Sequence, residues 1–378
     1  MGRQLVMCLD GTGNRFSHQP TNIIRLLRSL QVDSNQVLSY YDQGVGTFGL
    51  KETLFEWQKL PSRILGLAFG WGLKRTIEGA YTFLAQNYRL DDEIFLFGFS
   101  RGAFAARAVA ALVRAVGLVA PHEAHLFDYA WAMLLARDGP KRKPDFELQA
   151  RFKKTFGRPV NIRFLGLYDT VKSVGWIYDP VIIPYTTDNP IVQCVRHAVS
   201  IDERRCFFRQ HLWSATPSEK TDLREVWFAG VHSDIGGGYS PAQAQLALLA
   251  HRWMLGEAHA VGLRLDPVQT LRQLTAAPGV VGDPGADQHD SMTRAWKIAE
   301  WAPRRVWVKA DARRSWQIGA MPPFRKPRPR MIPENISIHR SVAVRMAHRT
   351  DYRPVNLPQQ RIVADDLPLF ASEGSTVG

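Results

Sequence analysis

Cysteine is scarce: the chain has three in 378 residues, Cys8, Cys194 and Cys206. They are too scattered for a disulfide framework or a zinc site, so a small stapled scaffold is excluded and buried free thiols are expected. Long apolar runs are also missing. The most apolar stretch, Ile64 to Leu73, is too short to span a bilayer and contains Gly66, Gly70 and Gly72, so no transmembrane helix is expected. The first ten residues hold one basic residue and a short apolar run that ends at Asp10, with no small-residue cleavage site. They read as a first strand rather than a signal peptide, and the expected compartment is the cytoplasm of the producing cell. Repeats and low-complexity tracts are absent, and residues 372–378 are expected to be disordered. Acidic residues are outnumbered, 35 against 48 Lys and Arg, for a net charge of +13. This balance favours polyanionic partners, either nucleic acid or an anionic membrane surface, and says nothing about fold.

What the chain does contain is a strong local signal between Asp91 and Arg107. Ile94 to Phe99 is an apolar, aromatic run of buried-strand type; it stops at Gly98-Phe99-Ser100-Arg101-Gly102 and passes into an Ala-rich helical segment. A serine on so sharp a turn needs glycine on both sides to keep strand and helix from clashing. The pattern is that of a nucleophile elbow, with Ser100 as the candidate nucleophile and the Arg101 amide facing the same space.

Around this stretch the chain alternates strands and helices. Val6 to Leu9 reads as a strand followed by the turn-forming loop Asp10-Gly11-Thr12-Gly13-Asn14, and Thr21-Asn22 caps a helix that runs to Leu30. An amide from Gly11 or Thr12 is the candidate second donor of an oxyanion hole. Gln36 to Tyr41 is a further strand, and residues 65–88 carry helical spacing. Residues 121–159, with the basic run Lys141-Arg142-Lys143, read as a cap or insertion. The sheet resumes at Val160 to Leu167 and ends in Tyr168-Asp169, where an orienting carboxylate would sit. From His197 to Arg205 the charges read as a solvated or interlocking helix face, with His197 structural. Glu225 to Val231 is a strand closed by His232-Ser233-Asp234, and 242–255 is a helix. His232 follows Ser100 and Asp169 in the chain order of an α/β hydrolase. The order predicts one α/β domain over 1–378, with a mostly parallel central sheet, helices on both faces and a helical cap or insertion.

Two alternatives stand beside the Ser100, Asp169 and His232 assignment. His339, late in the chain, competes with His232 as the base, and Asp234 is a second candidate acid. The Asp10-Gly11-Thr12 loop also resembles that of haloacid-dehalogenase-type phosphatases, but the second aspartate these need two residues earlier is replaced by Cys8; a separate alternative is metal-dependent phosphatase chemistry through Asp10, Asp169 and Asp234. The serine scheme needs no cofactor and no metal. A basic C-terminal extension at about 300–335 mixes Arg304, Arg305, Lys309, Arg313, Arg314, Arg325, Lys326, Arg328 and Arg330 with Trp307, Trp316 and Phe324. It suits an anionic membrane surface or nucleic acid, so the alternative function is a catalytically silent fold that binds nucleic acid or an acidic partner.

The segments at 9–14, 41–47, 97–107, 167–175, 197–205 and 226–239, with His339-Arg340-Ser341-Val342, together resemble the catalytic α/β-hydrolase domain of the bacterial type VI secretion lipase effectors, the first family of those phospholipases. The resemblance implies an esterase that releases fatty acid from phospholipid through a Ser-Asp-His triad, carried here by Ser100, Asp169 and His232. It also implies export by a type VI secretion system, with secretion-system and immunity proteins as partners and nucleic acid disfavoured. The chain is expected to hold little beyond the hydrolase core.

Overall fold

A computed structural model describes residues 2–11, 19–31, 36–44, 62–138, 143–171, 175–176, 179–180, 183–205, 208–214, 216–275, 277–293, 296–297, 303–308, 313–318 and 329–370. Eight strands form one sheet: β1 (Gln4–Leu9), β2 (Val37–Asp42), β3 (Glu93–Phe99), β6 (Phe164–Tyr168), β9 (Cys194–Ser200), β10 (Asp222–Phe228), β13 (Ile336–His339) and β14 (Arg361–Ala364). Their spatial order is β14-β13-β10-β9-β6-β3-β1-β2, and each neighbouring pair is parallel. The small ladders pair β4 (Arg137–Asp138) with β5 (Lys143–Pro144), β7 (Gly175–Trp176) with β8 (Asp179–Pro180), and β11 (Pro303–Val308) with β12 (Arg313–Ile318).

Alternation along the strands splits the core into two layers, because successive side chains point to opposite faces. Leu5, Met7, Ile94, Leu96, Leu165 and Leu167 meet α2 (Ser62–Asn87), α3 (Arg101–Val116) and α4 (Phe127–Leu135) on one face. Val6, Cys8, Phe95, Phe97, Phe164 and Phe228 meet α1 (Asn22–Ser29) and α7 (Gln245–Ala260) on the other. With both faces covered, strands such as β1 and β3 are apolar almost throughout, as buried parallel strands are. The α/β architecture with a parallel sheet and helices on both faces is therefore the one expected. Residues 121–159 contribute α4, the β4/β5 ladder and α5 (Phe146–Phe156), and their apolar side chains build on the α2/α3 layer. Cys8 and Cys194 are buried free thiols; Cys206 lies outside the described residues.

The chain leaves β1 for the β2 edge and returns across β1 to β3, so the direction of winding reverses between β1 and β3. In such sheets the carboxyl ends of the strands beside that reversal form the ligand crevice. Ser100 follows β3 there, with Asp10 at the end of β1 and Asp169 at the end of β6.

One expectation is overturned. Residues 197–205 are not a charged helix face: 197–200 are the second half of β9, which is buried along its whole length between β6 and β10, and 201–205 are not helical. The charges are accommodated by pairing: Arg196 meets Glu257 at 2.5 Å and Asp222 at 2.6 Å, and His197 Nδ1 lies 2.7 Å from Glu225. These partners come from α7 and β10, so nothing local to the segment announces a buried strand. Two further strands, β13 and β14, complete that edge, and a smaller cluster of Trp227, Ile336, Ile338 and Val342 packs there with the helix Arg340–His348.

Candidate active site

The elbow is built by backbone geometry. Ser100 has φ 60° and ψ −119°, a region non-glycine residues rarely occupy, at a cost of about 1–3 kcal/mol. The surrounding structure enforces it. The Ser100 amide donates to the Tyr168 carbonyl at 3.0 Å, extending the β3–β6 pairing one residue past the strand. α3 then starts at Arg101, and its run of alanines, the best helix formers, lets it lie close on the sheet. A Cβ on Gly102 would stand 2.1 Å from the Leu9 carbonyl oxygen, and one on Gly98 would stand 2.5 Å from Ala103 Cα. Both glycines are thus required by close packing of the elbow against β1 and against its own helix.

Ser100, Asp169 and His232 converge although they are far apart in sequence. Ser100 Oγ lies 2.8 Å from His232 Nε2, and His232 Nδ1 lies 2.5 Å from Asp169 Oδ2. All three are buried, with Ser100 6% and His232 4% exposed. Asp169 follows β6 with φ 40°, another strained non-glycine position, and its amide donates to the Ala198 carbonyl of β9. His232 opens the short helix α6 (His232–Gly236). Its ring packs on Phe99 at 4.8 Å and meets the edge of Phe208 at 4.9 Å.

The Asp169 carboxylate is satisfied on every side. Besides His232 it accepts the Ser200 amide at 3.0 Å and both terminal nitrogens of Arg330, Nη1 on Oδ1 at 2.5 Å and Nη2 on Oδ2 at 2.9 Å. Burial alone would raise its pKa, but the Arg330 guanidinium and the hydrogen bond from His232 hold it well below the usual carboxylate range. An ionised Asp169 can only accept, so Nδ1 of His232 carries the proton and Nε2 turns its lone pair to Ser100 Oγ. Burial also lowers the His232 pKa, against the opposing pull of Asp169. The ring is therefore neutral at pH 7, the form that can accept a proton from serine.

A second acid holds the histidine's backbone. Glu203 is fully buried, and its Oε2 accepts the His232 amide at 3.2 Å while Arg205 binds both of its oxygens at 2.8 and 3.0 Å. Burial would raise the Glu203 pKa, yet Arg205 brings it down to about 2. The Arg205 guanidinium lies over the Phe208 ring at 3.7 Å, and Trp296 meets Phe208 edge-on at 5.4 Å. His197 Nε2 accepts the amide of Thr170, the residue after Asp169, at 3.1 Å and so supports the acid's loop from below.

The other sequence candidates lie elsewhere or are engaged differently. His339 ends β13, with Nδ1 2.8 Å from Ser341 Oγ, Nε2 3.2 Å from Asp366 and its ring stacked on Phe228 at 4.6 Å. Asp234 accepts the Val231 amide at 2.9 Å and pairs with His289 Nδ1 at 2.6 Å, with Tyr239 stacked on that imidazole. Asp10 accepts the Thr21 hydroxyl at 2.6 Å and so ties the end of β1 to the cap of α1. Each of the three carboxylates proposed for metal-dependent chemistry is thus committed to its own partners. The Gly11 amide donates to Asp10 Oδ1 at 2.7 Å, which turns it toward that carboxylate; Thr12 lies outside the described residues.

Sequence reasoning missed three contributors: Ser200, Glu203 and Arg330. The first two sat in the segment misread as a helix face. Arg330 was one cation among many in the basic stretch, and it is buried, 161 positions from the carboxylate it binds. A polar cavity of about 380 Å³ lies beside it, lined by Asp202, Pro329, Arg345, Tyr352 and Asn356 among others. Its charged walls do not suit an acyl chain.

The family model for the catalytic domain of Tle1-like T6SS phospholipase effectors matches residues 3–257. An uncharacterized protein of Saccharomyces cerevisiae is 36% identical over 228 residues, covering 57% of this chain and 33% of its own. A crystal structure of an uncharacterized protein from Pseudomonas aeruginosa is 20% identical with a TM-score of 0.41, over 71% of this chain and 47% of that one. The structure of the Tle1 effector bound to the VgrG spike from the type 6 secretion system is 21% identical with a TM-score of 0.35, over 65% of this chain and 52% of that one. The chain thus spans about a third of the yeast relative and about half of each solved structure.

The packing at the elbow generates a direct test. Gly102→Ala forces a methyl group against the Leu9 carbonyl, and overpacking of this kind costs about 1–3 kcal/mol or more. Urea unfolding should show that loss, together with a large fall in any activity that depends on Ser100. An unchanged midpoint would mean that the close approach of α3 to β1 is not a constraint.

Proposed function

The chain belongs to the Tle1-like T6SS phospholipase effector family through its catalytic domain, and from that premise we propose that it is a serine hydrolase of lipid acyl esters, with phospholipid as the substrate class. The observation that carries the reading is the hydrogen-bonded line from Ser100 Oγ through His232 to Asp169, at 2.8 and 2.5 Å. His232 takes the serine proton as Oγ attacks the acyl carbonyl, and Asp169 steadies the imidazolium that forms. The tetrahedral oxyanion is held by the Arg101 amide at the start of α3 and by a second donor from the loop after β1. The Gly11 amide is already given to Asp10, so Thr12 is the first residue to test for that second role. Collapse expels the alcohol, which His232 protonates, and water activated by the same ring releases the fatty acid. No step calls for a metal ion.

Export by a type VI secretion system, an immunity-protein partner and contact with anionic membrane belong to the same reading and rest on the family and on the net charge of +13. The silent-binder alternative is separated from it by a fluorophosphonate probe, which labels an activated serine and leaves a mere binder unmarked.

Ser100→Ala should lower turnover of a 4-nitrophenyl ester, and of phospholipid, by roughly four or more powers of ten. His232→Ala should do likewise, whereas His339→Ala should leave turnover largely intact. The triad assignment fails if His339→Ala alone is inactive.

The pH dependence has a definite sign. The base must be neutral, so kcat/KM rises with pH along an acid limb set by His232. Since burial lowers that pKa beneath its ordinary 6.5, the limb should lie below 6.5. An acid limb at about 7 or above would contradict the burial-dominated environment of the ring.

A further inference from the structure

We infer that Arg330 is a positioning residue of the Ser-Asp-His triad: it fixes the plane of the Asp169 carboxylate and shares its charge, so that Oδ2 stays on His232 Nδ1. The inference rests on the hydrolase reading above and adds to it a residue that lies outside the family-matched region, 3–257.

The geometry is that of a built socket. Nη1 of Arg330 reaches Asp169 Oδ1 and the Ser200 carbonyl at 2.5 and 3.1 Å, while Nη2 reaches Asp169 Oδ2 and the Phe208 carbonyl at 2.9 and 2.5 Å. Two parallel N–H···O bonds from a planar guanidinium leave the carboxylate no freedom to rotate, so Oδ2 stays aimed at His232 Nδ1. The segment carrying Arg330 is itself held. Arg209 donates to the Pro329 carbonyl at 3.2 Å, Gln210 to the Met331 carbonyl at 2.6 Å, and Asn356 to the carbonyls of Arg330 and Ile201 at 3.1 Å each. A basic residue merely dissolved on a charged surface would have none of this.

The electrostatic consequence follows from who faces whom. His232 is faced by Asp169 from the end of β6, by Glu203 and Arg205 from the segment after β9, and by Ser100 from the elbow. Asp169 is faced by His232, by Arg330 and, through the Thr170 loop, by His197 with its partner Glu225. An aspartate alone would pull its histidine toward the protonated form. Arg330 shares that negative charge and so weakens the pull of Asp169 on the ring, which adds to burial and to the nearby Arg205 in opposing protonation of His232 at the start of the cycle. The imidazolium is accepted only when Ser100 gives up its proton. Removing the charge raises the pKa of His232 and also lets Asp169 take up a proton more readily. Both effects move the acid limb of kcat/KM to higher pH.

The test compares kcat/KM against pH for the wild type, Arg330→Met, Arg330→Gln and Arg330→Lys, on a 4-nitrophenyl ester, with a thermal melt for each. The two neutral variants should shift the acid limb upward by about one unit or more, so that the loss at mildly acidic pH exceeds the loss at alkaline pH by about tenfold. Arg330→Lys should keep the limb near its wild-type place while lowering kcat, because the charge remains and the bidentate geometry does not. Should Arg330→Met not fold, Arg330→Gln carries the comparison, since it keeps hydrogen bonds to Asp169 without the charge. A uniform loss at every pH, or the same limb shift in Arg330→Lys as in Arg330→Gln, overturns the inference. Fluorophosphonate labelling at Ser100 tests the hydrolase reading separately. If the wild type is not labelled, that reading fails, and the imidazole titration of His232 by NMR, assigned against His232→Ala, still decides what Arg330 does to the ring.

Discussion

The Asp169 carboxylate, fully buried and ionised, is the group around which the candidate site at the sheet edge is arranged. A lone charge in that position would be untenable, because burial disfavours the ionised form strongly. Its surroundings answer with a histidine, a backbone amide and a guanidinium, drawn respectively from the loop after β10, the end of β9 and the C-terminal part of the chain. Those three sources lie on separate pieces of the fold. The carboxylate therefore works as a knot: the same bonds that keep it ionised bring together the strand ends that carry Ser100 and His232.

The same logic repeats around it. Glu203 is stabilised by Arg205 and holds the His232 backbone; Arg196 is stabilised by Glu257 and Asp222 and lets β9 run through the middle of the sheet. Asp202, which has no ion pair among the described residues, is the contrast: burial pushes its pKa up to about 6, even with Gly230 and Tyr352 donating to it and Arg345 and Arg204 nearby. Buried ion pairs contribute little net stability compared with apolar packing, but breaking one leaves an uncompensated charge. They serve here to specify which loops meet, while the apolar layers on the two sheet faces supply most of the driving force.

Strain at the elbow belongs to the same design. Ser100 and Asp169 both sit at positive φ, at the ends of neighbouring strands β3 and β6, and each is held by a backbone bond to the adjoining strand. The apolar sheet beneath is what makes these conformations affordable, since it over-determines the positions of the strand ends. Close approach of α3 to β1, possible only because Gly102 lacks a side chain, then presents the serine at the reversal point of the sheet.

The sequence by itself determined the parts that depend on neighbours in the chain. The apolar run of β3, the two glycines about Ser100 and the alanines of α3 spell out the elbow, and the strand-end positions of Asp169 and His232 follow from local hydrophobic runs that stop at a polar residue. Only the tertiary structure decided what depends on partners far away. It made 194–200 a buried strand, since Arg196 and His197 become tolerable in the core only against Glu257 and Glu225. It engaged His339 with Ser341, Asp366 and Phe228, and it took Arg330 out of a basic stretch and set it on Asp169. The physical reason is the same in each case: hydrophobic period and backbone propensity are written over a few residues, whereas the cost of burying a charge is settled by whichever opposite charge the fold delivers to it.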